Sequence, residues 1–322
     1  MPTPIENLTQ NVNASTQQTV LQVVANDATA RQQAADKASA INAIVDNADQ
    51  QAMLNFFGGI AGDATAEDLL TSNNALIDKV SEDADAIETL NASESAIRKM
   101  LCRREGRDPA NFADLDAVAN DVSLVQNLSL RDEIIDIIRF SEKAHNALSG
   151  NDRATREFMC HPAGLDATTF TNVPDVASDN AAMTTITADA QAIRAMVALP
   201  LAMQGVAASQ TAMQEVINST TAMQEVATSQ TAMEEVAASQ TAMDEIANSA
   251  TARGEVRASA TAMSEIRPVD QAIAKLIAGV AGQNPSSYPD MATLAADASA
   301  MGAVVASQTA LQEVLDSQTA IQ

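Results

Sequence analysis

The chain has 322 residues, of which 46% are hydrophobic but only 2% aromatic, with no tryptophan and a single tyrosine, Tyr288. Such a composition builds thin layers of helices with small side chains and excludes a thick core organised on rings. A net charge of −24, with no basic run beyond Arg98-Lys99 and Arg103-Arg104, also excludes a duplex-binding surface, which needs clustered Lys and Arg to displace counterions.

The opening Met1-Pro-Thr-Pro-Ile-Glu lacks a basic region followed by an apolar one, so no export signal is expected. Residues 1–20 carry no repeat and are set apart as a separate N-terminal segment. Residues 21–180 read as degenerate helical repeats. Apolar pairs three residues apart recur there as Leu21/Val24, Ile41/Ile44, Ile87/Leu90, Ile97/Met100 and Ile135/Ile138, several of them behind an alanine. The pattern becomes regular over 181–281, where Met183/Ile186, Ile193/Met196, Met203/Val206, Met213/Val216, Met223/Val226, Met233/Val236, Met243/Ile246, Met263/Ile266 and Ile273/Leu276 keep a ten-residue period. Arg253/Val256 is the exception. The array resumes over 298–322 with Met301/Val304 and Leu311/Val314 and breaks off in mid-unit at Thr319-Ala-Ile-Gln322.

Three interruptions share one pattern. Gly106-Arg-Asp-Pro-Ala-Asn-Phe112, Gly164-Leu-Asp-Ala-Thr-Thr-Phe170 and Gly282-Gln-Asn-Pro-Ser-Ser-Tyr288 continue without gaps to Asp121, Asp179 and Asp297. They define cassettes over 106–121, 164–179 and 282–297, and a degenerate copy over 62–75 starts at Gly62-Asp-Ala. The glycines suit a reversal that needs positive φ. Asp108-Pro109 and Asn284-Pro285 place a cap residue before a proline at a first helical position.

An all-α, elongated repeat architecture follows, because an array of one stereotyped unit buries each face only against its neighbours. A continuous helix turns about 100° per residue, so a ten-residue stripe drifts by about 80° per unit and would wind around the helix. A short helix and a tight turn in every unit is the favoured folding, over a long coiled coil. Two helical turns are too short to stand alone, so the units must stack, either within one chain as a helical solenoid or between chains around a common axis. Thr211, Thr221, Thr231 and Thr241 are expected N-caps, each followed three residues on by Gln214, Gln224, Glu234 or Asp244 in capping-box order. Glu215 to Glu265, one per decad, are expected near helix starts, and Ser209 to Ser259 are expected stop signals.

No catalytic, cofactor or metal site is expected. Cys160-His161 is an adjacent pair, but zinc ligation needs four ligands at recognisable spacing, and no CxxC or HxxxH occurs. Cys102 and Cys160 share one cassette position, four before the glycine, where Ala278 stands in the third copy, so small buried residues are expected, with a disulfide as the alternative. His145 falls on an apolar decad position. The cassette Asp residues are read as helix caps before calcium ligands, and the methionine ladder as flexible core. The sequons at Asn7, Asn13, Asn91, Asn127 and Asn218 are read as incidental. The uncharged stretch Ala195–Gln214 has the length of a membrane span but stays in the decad register, so no membrane insertion is expected.

The units Thr-Ala-Met-Gln-Glu-Val-Ala-Thr-Ser-Gln (221–230) and Thr-Ala-Met-Glu-Glu-Val-Ala-Ala-Ser-Gln (231–240) resemble the decad arrays of tail-fibre and virion appendage proteins of tailed bacteriophages and haloarchaeal tailed viruses. The Gly-x-Asp-Pro-x-x-Phe cassette is similar to elements that interrupt those arrays. The resemblance covers most of 180–322 and extends loosely over 20–180. It implies a virion structural protein, self-associating as a homotrimeric fibre. Residues 1–20 would anchor it to other tail, baseplate or capsid proteins. It further implies host attachment or a host-surface adhesin role, without nucleic-acid binding or enzymatic activity.

Overall fold

The computed structural model describes residues 27–35, 37, 40, 41, 56–72 and 74–321. The proposed N-terminal segment 1–20, the pair Leu21/Val24 and Ile44 lie outside the described residues. Every regular element described is a helix. The chain divides into two compact units, Met1–Ala154 and Thr155–Gln322.

In the first unit the helices are α1 (Ala28–Ala35), α2 (Ala64–Thr71), α3 (Asn74–Ser81), α4 (Ala84–Leu90), α5 (Glu94–Arg104), α6 (Leu115–Asn120), α7 (Val122–Ser129), α8 (Asp132–Phe140) and α9 (Glu142–Ser149). Helix α10 (Asp152–Cys160) follows. The second unit continues with α11 (Val173–Ser178), α12 (Asn180–Ile186), α13 (Ala190–Ala198), α14 (Pro200–Ala208), α15 (Gln210–Asn218), α16 (Thr220–Thr228), α17 (Gln230–Ala238), α18 (Gln240–Asn248), α19 (Ala250–Ala258), α20 (Ala260–Ile266) and α21 (Asp270–Val280). It closes with α22 (Met291–Ala296), α23 (Ala298–Ala306), α24 (Gln308–Asp316) and α25 (Gln318–Ile321). Starts fall ten residues apart from Ala64 to Glu94, from Val122 to Asp152 and from Ala190 to Asp270, so the decad governs the loosely patterned stretch as well.

Each regular decad is a nine-residue helix and one extended serine, as at Ser209 (φ −101°, ψ 117°) and Ser229 (φ −90°, ψ 118°). The extended residue resolves the phase problem of a ten-residue period. It interrupts the helix before the stripe drifts, and the next helix restarts with alanine, methionine and valine on the same side. The chain bends by 100° between α13 and α14, at Leu199. Ala195–Gln214 is therefore broken at Leu199 and Ser209, and among the described residues no single helix is long and apolar enough to cross a membrane.

Three helices make one circuit of the second unit. Helix α14 packs on α17, α15 on α18, α16 on α19 and α17 on α20. The stripe is thereby sealed by the chain's own next circuit: Met203, Met213, Met223, Met233 and Met243 are all fully buried, as are Val206, Val216, Val226, Val236 and Ile246. Full burial of such side chains stabilises by about 1.5–3 kcal/mol each, which supplies what an isolated nine-residue helix lacks.

The serine hydroxyl joins successive circuits. Its oxygen accepts from the N–H three residues on (Ala242 N to Ser239 Oγ, 3.2 Å), and its O–H donates to a carbonyl 32 residues back (Ser239 Oγ to Ala207 O, 2.5 Å). The same 32-residue rung joins Ser209 to Ala177, Ser219 to Thr187, Ser229 to Val197 and Ser259 to Ala227. These serines are the N-caps as well as the stops. The expected threonine caps are incorrect: Thr211 is the second residue of α15 and Thr231 of α17. The glutamates are also displaced from their expected place, Glu215 being the sixth residue of its helix, where it accepts from Thr184 Oγ1 at 3.1 Å. Removing one serine hydroxyl deletes a cap and an inter-circuit hydrogen bond, each worth about 1 kcal/mol. Ser239→Ala is expected to lower stability by about 2 kcal/mol in urea titration, with Gln204→Ala on the exposed face nearly neutral.

The cassettes end a long helix differently. Gly106, Gly164 and Gly282 have φ of 65°, 73° and 74°. The N–H beyond each closes on the carbonyl five residues earlier, Arg107 on Cys102, Leu165 on Cys160 and Gln283 on Ala278. This is the Schellman pattern. A 3₁₀ turn follows at Pro109–Asn111, Ala167–Thr169 or Pro285–Ser287, and then a six-residue helix. A circuit containing a cassette is longer, so Ser317 reaches the Arg267 carbonyl across 50 residues. At Gly62 (φ 86°) only the left-handed turn recurs, and Asp63 caps α2 directly.

Candidate functional site

The side chains singled out from the sequence serve structure. Among the cassette residues, Asp108, Asp166 and Asn284 accept from Ala110, Thr168 and Ser286 N–H at 3.0, 2.9 and 3.3 Å and so cap the 3₁₀ turns. Asp114, Asn172 and Asp290 cap the short helices, and Asp121, Asp179 and Asp297 cap the helices after them. The Thr168 hydroxyl and N–H hold the Asp166 carboxyl below the usual range. The Ala300 N–H, and then the Tyr288 hydroxyl at 3.0 Å, do the same for Asp297. Each of these groups is aimed at backbone donors, and among the described residues no group of three or more His, Cys, Asp or Glu is arranged to hold a metal ion.

Cys102 and Cys160 are free and fully buried at equivalent positions in the Schellman turns. Burial pushes the first thiol up to about 11 and the second up to about 12. Nucleophilic reactivity belongs to the thiolate. A thiol reagent at pH 8 is therefore expected to leave both cysteines unlabelled in the folded protein and to label both in denaturant, read by intact mass. His161 lies next to Cys160 just past the end of α10, half-buried, and its N–H donates to the Glu157 carbonyl at 2.9 Å. His145 is half-buried on α9.

Two arginines escaped the sequence reading. Arg98 donates to the Phe112 carbonyl at 2.7 Å and to that of Ala113, and Arg156 donates to the Ala167 and Phe170 carbonyls at 2.8 and 2.7 Å. Both stand eight residues before a cassette glycine, so carrying the cassette alignment upstream would have paired them; Ala274 occupies the third position. They clamp the 3₁₀ turn against the preceding long helix.

Ion pairs within each unit hold several other charged groups. In the first unit Glu67, fully buried, accepts from Gly62 N–H at 2.8 Å, Ser93 Oγ at 2.5 Å and Lys99 Nζ at 3.1 Å. Burial pushes its carboxyl upward, yet the Ser93 hydroxyl, the Gly62 amide and Lys99 outweigh it and hold the value below normal. Asp78 shows the opposite balance, since burial outweighs Arg104 and raises it. In the second unit Glu313 is buried between Arg257 (2.8 Å) and Arg267 (3.5 Å), and Arg267 also meets Asp316 at 3.3 Å.

A cleft of about 620 Å³, open to solvent, lies in the first unit and is lined by Asp68, Thr71, Arg103, Arg107 and Asp108 among others. Its guanidinium groups are committed: Arg103 to Asp68 and Thr71, and Arg107 to Ser123 at 2.9 Å. A second cleft of about 400 Å³ is lined by Glu94, Asp114, Asp116 and Lys143. In the first cleft the Thr71 and Ser72 hydroxyls donate to the Glu67 and Leu69 carbonyls, each at 2.7 Å. No family model matches the chain, and comparison with curated proteins finds no significant match.

Proposed function

We propose that this chain is a non-catalytic structural component of a viral tail or other virion appendage, acting as a stiff shaft or attachment linker. The supporting observation is the stacking of near-identical circuits through α11–α21, each held to the one before by the same serine rung and the same buried methionine. Such a stack gains length by adding units without changing its cross-section, which suits a spacer.

The homotrimer implied by the viral-fibre resemblance was one way to bury the methionine stripe. The chain's own circuits cover that stripe, so the homotrimer proposed here would associate through other surfaces of the chain. Residues 1–20 are proposed to dock on other tail, baseplate or capsid proteins, with host-surface attachment as the related role. Antibodies against residues 181–281 are expected to decorate an external appendage of virions in negative stain. Label confined to cell interiors, with unlabelled virions, would assign the chain to a cellular scaffold instead.

A further inference from the structure

The third cassette joins its circuits differently from the first. Helix starts keep the same offsets from Gly106 and Gly282 on both sides of the cassette, so positions compare one to one. Ile77 corresponds to Arg253, Ser81 to Arg257, Asn91 to Arg267 and Ile137 to Glu313. In the first unit α8 packs on α3 and α4, and Ile77 and Ile137 are fully buried. The copy at Gly164 again has buried apolar residues at the first and last of these places, Ile135 and Ala195. At the third cassette an apolar joint has become a charged one.

The contacts divide unevenly around this joint. Helix α24 packs directly on α21, where Ile273, Leu276 and Ile277 are fully buried. Toward α19 and the end of α20 it is held by charge. Glu313 meets Arg257 at 2.8 Å and Arg267 at 3.5 Å, Asp316 meets Arg267 at 3.3 Å, and the Ser317 hydroxyl donates to the Arg267 carbonyl at 3.2 Å. The side chains of Arg257 and Arg267 are 32% and 35% exposed, so counterions reach them, whereas that of Glu313 is 6% exposed. The Arg267 Nε is shut off from solvent without a hydrogen-bond partner. Ion pairs of this kind contribute less than the apolar packing they replace, because desolvation offsets most of the attraction. The joint therefore has an apolar edge at α21 and a weaker, ionic edge at α19 and α20. We propose that it is a salt-sensitive hinge: at low salt the ion pairs hold it shut, and at high salt the ionic edge opens with α21 as the pivot. Every residue of the joint lies among the described residues, and the inference does not rest on the virion reading.

The test is dipolar spectroscopy on the full chain, with spin labels at Ala258 and Thr309, exposed positions on α19 and α24. Buried Cys102 and Cys160 should stay unlabelled. In the parent a longer-distance population is expected to grow about fivefold or more between about 0.05 M and about 1 M NaCl, as the Debye length shrinks to about 3 Å. Glu313→Gln should show that population already at low salt. The triple variant Arg253→Met/Arg257→Ser/Glu313→Ile, which gives the joint uncharged residues of the kind found elsewhere in the chain, should stay closed at both salt concentrations. Labels at Gln214 and Glu245, within the regular array, should keep one separation throughout. A parent distance unchanged by salt overturns the proposal, as does Glu313→Gln remaining as closed as the parent. So does a triple variant that opens as the parent does, or an equal change at the Gln214 and Glu245 pair, which would mean that the whole stack loosens.

Discussion

Glu67→Ala is expected to lower the stability of the first unit by about 2–3 kcal/mol, because it strips Gly62 N–H and the Ser93 hydroxyl of an acceptor and leaves Lys99 paired with the exposed Asp68 at 3.0 Å. Few surface changes approach that size. The same carboxylate gives the unit an acid limb. Its folded-state value lies below the ordinary one, so its contribution is complete above the usual glutamate range, about pH 4.3, and is lost as pH falls through the folded value. Denaturant midpoints measured from pH 7 to pH 3 should fall in the parent and stay flatter in Glu67→Gln. Equal slopes would place the acid sensitivity elsewhere.

Gly279→Ala is the second large effect. Gly279 stands 32 residues after Ala247, at the place where the array puts a serine, but α21 runs on through this point without a break. A methyl group there would lie 2.2 Å from the Ala247 carbonyl oxygen and 3.0 Å from its carbon, so α21 and α18 would have to separate. Overpacking against rigid backbone costs about 1–3 kcal/mol or more, and a contact this short belongs at the upper end. The Ala247 carbonyl, having no serine rung, accepts from Arg253 Nη1 at 2.5 Å instead. This gives Arg253, the one charged residue in the ladder, a structural task. Gly254→Ala, with open space around it, is expected to be neutral or mildly stabilising by the same assay.

The repeat, the all-helical class and the break within every unit were legible because hydrophobic spacing and side-chain size carry them. The phase of the break was not. Thr211-Ala-Met-Gln214 satisfies a capping box on paper, and only the structure shows that the extended residue is Ser209, whose box partner is Ala212. A period fixes how often a helix restarts, and local residue preferences alone did not fix where. The three-helix circuit was hidden for a related reason: when every decad resembles every other, similarity at thirty residues is no greater than at ten. Glu67 and Glu313 look like other exposed acidic residues in the sequence. Their burial depends on partners 32 and 56 residues away, Lys99 and Arg257, which no local pattern announces.

Residues about 31 apart in the array lie side by side. Gln214 Nε2 and Glu245 Oε2 are 3.3 Å apart across adjacent circuits and both project from the outer face. Spin labels at these two positions, in protein diluted with unlabelled chain, would report their separation directly. The stacked circuits predict strong dipolar broadening, with the labels within about 20 Å once two flexible label arms are allowed for. A continuous helix would hold the same 31-residue pair about 46 Å apart. A distance near that value, or a spectrum with no broadening, would contradict the three-helix circuit.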